Sequence, residues 1–220
     1  MNKTKIEWCD YTWNPIVGCR RGCDYCYARK IAQRFNMIPD WNSPVFFKER
    51  MGDPHKIKKP SIIFVGSMCD LIADVSNQDE RAIVKDIIDV VAENPMHRFM
   101  FLTKKPQNYS MFFFPPNAML GTSIERRSAN TTERLSALQS LSTEAKKYIS
   151  FEPLMGDVNF HTNYYFDIDL VIIGAMTGRV LIPKREWFDN IHHSNIFYKE
   201  NIRSFFPELP AGNKQQIWSV

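Results

Sequence analysis

The sequence predicts an α/β fold in which parallel strands, joined by helices, form an incomplete barrel. Three observations carry this expectation. Short apolar runs of strand character recur from residue 60 onward, and most are followed by polar residues and then a stretch of helical periodicity. No Gly-x-Gly-x-x-Gly turn is present to mark a doubly wound sheet. The chain has 220 residues, short of the roughly 250 that eight βα units usually take.

In chain order, a strand is expected near Glu7 to Trp13 and a short helix near Ala28 to Phe35. Six runs follow: Ser61 to Val65, Arg98 to Leu102, Ala118 to Thr122, Lys147 to Phe151, Leu170 to Ile173 and Asn195 to Tyr198. They are rich in Ile, Val and Phe, and mostly continuous instead of alternating, as strands buried on both faces are. The clearest helix, Asp79 to Glu93, carries an apolar stripe of Ala82, Ile83, Ile87, Val90 and Val91 and is stopped by Asn94-Pro95. A second spans Ala129 to Leu141 with Leu135, Leu138 and Leu141 on one face, and a shorter one Lys184 to Ile191. Met111 to Pro116 reads as core followed by a turn. Six to seven parallel strands in one domain over 1–220 make the expected architecture.

Composition narrows the class. A hydrophobic content of 44% supports one substantial core. The net charge of +4 comes from Lys and Arg spread along the chain, which permits a nucleic-acid partner without demanding one. No apolar run nears the roughly 20 residues of a membrane span, and no signal-peptide apolar region follows Met1, so a cytoplasmic protein without a membrane partner is expected. Five cysteines, three of them within eight residues, read as metal binding in a reducing compartment better than as disulfides.

Those three stand in Gly18-Cys19-Arg20-Arg21-Gly22-Cys23-Asp24-Tyr25-Cys26-Tyr27, at the spacing Cys-x3-Cys-x2-Cys. Close thiolates select zinc or an iron-sulfur cluster. A structural zinc wants a fourth ligand, and Cys9 is the available one; a zinc-binding nucleic-acid adaptor is therefore one reading. Three ligands alone suit an iron-sulfur cluster with one iron left open, and an iron-sulfur protein that transfers electrons or senses is another.

Cys-x3-Cys-x-aromatic-Cys, with Tyr25 as the aromatic, resembles the signature of radical S-adenosylmethionine enzymes, which share a partial (β/α) barrel. Thr12-Trp13-Asn14-Pro15 and Gly22 to Ala28 are similar to the opening of a radical-SAM-like family of unknown function found in phages and prophages. So are Phe64 to Leu71, Leu102 to Pro106, Leu120 to Glu125, Ser150 to Leu154 and Val171 to Gly174, so the resemblance covers nearly the whole chain. Cys9 and Cys69 stand where the family usually has a hydroxyl residue. Ala175-Met176-Thr177-Gly178 replaces its Gly-Glu-Ser-Gly and lacks the carboxylate.

The resemblance implies an N-terminal cluster-binding loop in which Cys19, Cys23 and Cys26 hold a 4Fe-4S cluster. It also implies that the bound S-adenosylmethionine is cleaved reductively to a 5′-deoxyadenosyl radical, with electrons from a reductant such as flavodoxin or ferredoxin. In barrels of this kind the polar residues just after each strand are the first functional candidates. By the family analogy Ser67 and Asp70 face the methionine end of the cofactor, Ser123 and Glu125 its ribose. Glu152, a carboxylate at a strand end that must be paired or used, is the sharpest catalytic candidate. Lys104 and Lys199 suit an anionic substrate, and a nucleic acid or nucleotide is the expected class. Trp8, Trp13, Tyr25 and Tyr27 are expected to lid the cluster against water and oxygen.

Overall fold

A computed structural model describes residues 1–160, 165–177 and 181–219. The strands are β1 (Asn2–Lys3), β2 (Tyr11–Trp13), β3 (Ile16–Val17), β4 (Val45–Phe46), β5 (Ile62–Val65), β6 (Arg98–Thr103), β7 (Ala118–Ser123), β8 (Lys146–Leu154), β9 (Leu170–Ala175) and β10 (Ile196–Tyr198). The helices are α1 (Tyr27–Arg34), α2 (Gln78–Glu93), α3 (Ala129–Gln139), α4 (Glu200–Arg203) and α5 (Gln215–Trp218). β3 and β4 form a separate antiparallel pair.

The fold is mixed α/β around an eight-stranded sheet in the order β1-β2-β5-β6-β7-β8-β9-β10. Only β1 runs antiparallel to its neighbour; the pairs from β2 to β10 are parallel. The order follows the sequence without reversal, so there is no switch point of the doubly wound kind. All six expected apolar runs are strands, and the expected N-terminal strand is present but shorter.

Burial on both faces explains why the runs are continuous. Ile63, Val65, Phe99, Phe101, Leu120, Ile149, Val171 and Ile173 point to the side covered by α2 and α3. The alternate residues Ile62, Phe64, Met100, Met119, Tyr148, Leu170, Ile172 and Phe197 form a second cluster with Trp8, Cys9 and Ile217. Gly121 makes room in it, since a Cβ there would meet the Tyr148 ring at 2.4 Å. The segments flanking the outermost parallel strands touch: the Glu200 backbone N–H donates to the Glu7 carboxylate at 2.6 Å, and Lys214 to Asp10 at 2.5 Å.

α2 starts with a complete capping box, the Asn77 side chain accepting from Glu80 N–H and the Glu80 carboxylate from Asn77 N–H. Its buried stripe is Val84, Ile87, Ile88 and Val91, at i, i+3, i+4 and i+7; Ala82, expected in the stripe, is exposed. α3 ends at Gln139 and leaves Leu141 half-buried beyond it.

The expected helix from Lys184 to Ile191 is a single 3-10 turn, Arg185–Trp187. Its backbone is drawn to the loop before it: Val158 N–H donates to Trp187 O, Asn159 Nδ2 to Glu186 O, and Asn190 N–H to Asn159 Oδ1. Those are groups an α-helix would have used internally. In the Met111 to Pro116 segment Phe114 is buried against Phe101 and Tyr109, whereas Phe113 is exposed. Among the described residues no helix is long and apolar enough to cross a membrane.

Candidate functional site

Because β5 to β10 are parallel, the residues that follow each of them gather at one end of the sheet. The cysteine loop lies over that end. Gly18 N–H donates to Met68 O in the turn after β5, Cys19 N–H to Trp41 O, and Arg20 N–H to Asp74. Between loop and strand ends is a cleft of about 550 Å³, within the range of small-ligand sites. It is lined by Cys19, Cys23, Tyr25, Cys26, Ser67, Asp70, Lys104, Ser123, Glu152 and Lys199. Of the expected cluster ligands, cofactor-binding residues and catalytic residues, Glu125 alone is not in the lining; it sits one layer behind.

Gly18 fixes how the loop enters. Its φ is +111°, and a Cβ would lie 2.8 Å from Pro44 Cα and 2.9 Å from Trp41 O. Gly18→Ala should therefore strain the backbone by about 1–3 kcal/mol before any clash is counted. Urea unfolding should show the loss. Unchanged stability would show that the loop's path does not matter.

Cys26 is the N-cap of α1, its Sγ accepting Arg29 N–H at 3.4 Å, a position where the positive end of the helix favours thiolate. Arg29 also donates to Cys23 O at 3.1 Å. All five cysteines are free. Burial pushes the Cys19 thiol up to about 12, a tendency that coordination to a cation reverses. Among the described residues no three His, Cys, Asp or Glu side chains converge as the ligands of one ion do. Thiolates of a polynuclear cluster bind different irons and need no such convergence.

Tyr25 ties the loop to the sheet. Its hydroxyl donates to Glu125 Oε1, which also meets Lys104 Nζ at 2.6 Å, while Arg134 from α3 reaches Glu125 Oε2 at 3.1 Å. Lys104 lies 5.4 Å from the Tyr25 ring centroid. Burial alone would raise the Glu125 carboxyl, but the charge and hydrogen bond of Lys104, with Tyr25 and Arg134, outweigh it and hold the group below its ordinary value. The Tyr25 phenol is pushed up by burial and then by Glu125. Glu125 is thus a positioning residue for the loop.

Asp70 is buried and fully engaged, its carboxylate accepting from Thr103 Oγ1 at 2.6 Å and from Lys104 N–H at 3.0 Å. Burial raises its carboxyl, with these two bonds as partial offset. Ser67 Oγ and Met68 N–H both donate to Asn14 Oδ1, at 3.1 and 3.0 Å, so Asn14 shapes the turn after β5. Ser123 Oγ donates to Glu152 O and receives from Lys104 Nζ.

Lys199, after β10, is ion-paired with Glu152 Oε1 of β8. Gly174 at the end of β9 clears the space: a Cβ would lie 2.8 Å from Lys199 Cδ and 3.2 Å from Glu152 Cδ. Neither Lys104 nor Lys199 is therefore the unpaired cation that an anionic substrate would want. Met176, where the resembling family has its carboxylate, lines the cleft with Thr177, and Gly178 lies outside the described residues.

Three of the four expected lid aromatics, Trp8, Tyr25 and Tyr27, line the cleft. Trp13 does not: it is buried on the helix-covered side against Phe99, its Nε1 donating to Arg50 O at 2.8 Å. Cys9 is also elsewhere, in the cluster with Met100 and Tyr148. Sequence reasoning missed Asn14, Gly18, Arg134 and Ser150. Asn14 and Gly18 fall inside conspicuous motifs; Arg134 gives no local signal. Ser150 lines the cleft with its Oγ buried and without a partner, as is Trp8 Nε1, so the floor holds polar atoms that a ligand would satisfy.

Residues 3–209 match the family described as protein of unknown function DUF5131. The chain belongs to that family. As a DUF5131 protein it is also similar to an uncharacterized protein of Methanocaldococcus jannaschii. The two are 27% identical over 190 residues, covering 76% of this chain and 72% of that one. No solved structure matches.

Proposed function

We propose that this DUF5131 protein is a radical S-adenosylmethionine enzyme with a 4Fe-4S cluster on Cys19, Cys23 and Cys26. The observation that carries the reading is the position of these three thiols: they line one cleft together with the polar residues that end β5 to β8 and β10. The donor set fits the group, and the unpartnered Ser150 Oγ and Trp8 Nε1 fit a polar cofactor or substrate beside it. When bound, the cluster supplies one electron for reductive cleavage of S-adenosylmethionine to methionine and a 5′-deoxyadenosyl radical that abstracts hydrogen. The chain's own residues orient and enclose. Tyr25 and Glu125 hold the loop, Asn14 and Asp70 fix the turns that face it, and the Lys199–Glu152 pair aims a carboxylate into the cleft. Trp8, Tyr25 and Phe64 exclude water.

The same reading infers an incomplete (β/α) barrel. Flat, seven strands about 4.8 Å apart would separate the outer ones by roughly 29 Å. The bond between Glu7, just before β2, and Glu200, just after β10, supports a sheet curled until its ends meet.

The zinc alternative needs Cys9 beside the other three, and its place among Met100 and Tyr148 disfavours that. Cys9→Ser should leave iron and acid-labile sulfide unchanged; their loss, or zinc in their place in the parent protein, would revive the adaptor. The reading itself is tested by electron paramagnetic resonance of the dithionite-reduced protein. Adding S-adenosylmethionine should change the cluster signal, as a ligand on an open iron must. An identical signal would leave an electron-transfer or sensor protein.

A further inference from the structure

The outer face of α1 borders the cleft. Tyr27, Ile31 and Phe35 are 48%, 40% and 66% exposed, and their i, i+4, i+8 spacing makes them one stripe. Lys30 and Arg34 are exposed on the same side, Arg34 lying 5.6 Å from the centre of the Phe35 ring. Neither has a carboxylate partner among the described residues, whereas other exposed cations such as Lys85 and Arg185 do. Residues 18–36 hold five basic residues and one acidic one, matching the net charge of the whole chain. Tyr27 and Ile31 belong at once to this stripe and to the cleft.

The cleft itself is different. Its cations Lys104 and Lys199 are neutralised by Glu125 and Glu152, its walls include Trp8, Tyr25 and Phe64, and its orphaned polar atoms are Ser150 Oγ, Trp8 Nε1 and Arg21 Nε. The interior therefore suits a flat, hydrogen-bonding group, and the exterior suits negative charge interleaved with stacking surfaces. A polynucleotide divides its chemistry in that way, bases in and phosphates out. A duplex keeps its base faces stacked and could not use the exposed rings.

We propose that α1 is the docking surface for a single-stranded nucleic acid. Lys30 and Arg34 meet phosphates, Tyr27 and Phe35 stack on bases, and one base is delivered into the cleft. The target role of that base rests on the radical-enzyme reading; the docking surface does not.

The test is fluorescence anisotropy with a labelled mixed-sequence single strand, DNA or RNA, of about 16 nucleotides, at several salt concentrations. Lys30→Glu with Arg34→Glu should weaken binding at least about tenfold and flatten the log–log salt slope by about 1.4, two single-strand phosphates' worth. Phe35→Ala should weaken it about fivefold with the slope unchanged. Circular dichroism melting should match the parent protein, and 5′-deoxyadenosine formation without oligonucleotide should be unaffected. Salt-independent or absent binding by the parent protein, or equal binding by the variants, overturns the proposal. So does capture of an acidic protein that the oligonucleotide cannot displace. A protein that cleaves S-adenosylmethionine but fails these tests sinks the docking surface alone; one that passes them without cleavage sinks the cleft's reading alone.

Discussion

Replacing Cys19, Cys23 or Cys26 singly with Ala should strip iron and visible absorbance from the anaerobically reconstituted protein and lower 5′-deoxyadenosine formation to the no-enzyme background. The effect is all-or-none because three thiolates are the minimum that holds such a cluster while leaving one iron open. The fold should survive. Cys23 and Cys26 are only half-buried, and the loop is tied down through backbone bonds of Gly18 and Cys19 and through Arg20, none of which needs a thiol. Circular dichroism should accordingly be unchanged. Cys69→Ala is the control: Cys69 lines the same cleft but stands outside the spacing, and its variant should keep iron and turnover. A single-cysteine variant of the loop that retained both would remove the basis of the assignment.

The second large effect is expected at the Glu152–Lys199 pair. The side chains are 23% and 10% exposed, so the pair is desolvated enough that removing one partner strands the other. Lys199→Met should destabilise the protein by about 2 kcal/mol, below the 3–5 kcal/mol of fully buried pairs because water still reaches Glu152. It should also depress 5′-deoxyadenosine formation by at least about tenfold as the carboxylate swings free. Glu152→Gln should lower the rate similarly with less cost in stability. The double variant Glu152→Gln with Lys199→Met should recover stability relative to Lys199→Met alone and leave the rate low. That pattern separates a carboxylate needed in the cleft from one needed only to neutralise its partner. Recovery of the rate along with stability would reduce the pair to a structural tie.

The strands were legible because strands covered on both faces must be apolar throughout, and Ile62 to Val65 or Leu170 to Ile173 leave little else to read. The helix at Lys184 to Ile191 was misread because periodicity reports which residues are apolar and not where their backbone groups bond; Asn159, in an adjoining loop, claims them. At the site, the strand-end rule found the polar residues but not their pairing. Tyr25 and Glu125 are 100 residues apart, Glu152 and Lys199 47, and only the sheet order brings them together. The two lysines therefore looked like free cations and are not. Basic charge is dispersed along the chain, but five of its 28 basic residues, against one acidic residue, fall within residues 18–36, on the loop and helix beside the cleft. Trp13 was grouped with the lid by sequence neighbourhood, yet on β2 it points to the opposite side from Trp8.

The central claim is that three thiols at the strand ends arm this protein to cleave S-adenosylmethionine. The most direct measurement is of 5′-deoxyadenosine and methionine released by the reconstituted, dithionite-reduced protein. The account predicts both products in equal amounts, dependent on Cys19, Cys23 and Cys26 and independent of Cys9. Intact S-adenosylmethionine after prolonged incubation with a protein that carries its full iron and sulfide would contradict it.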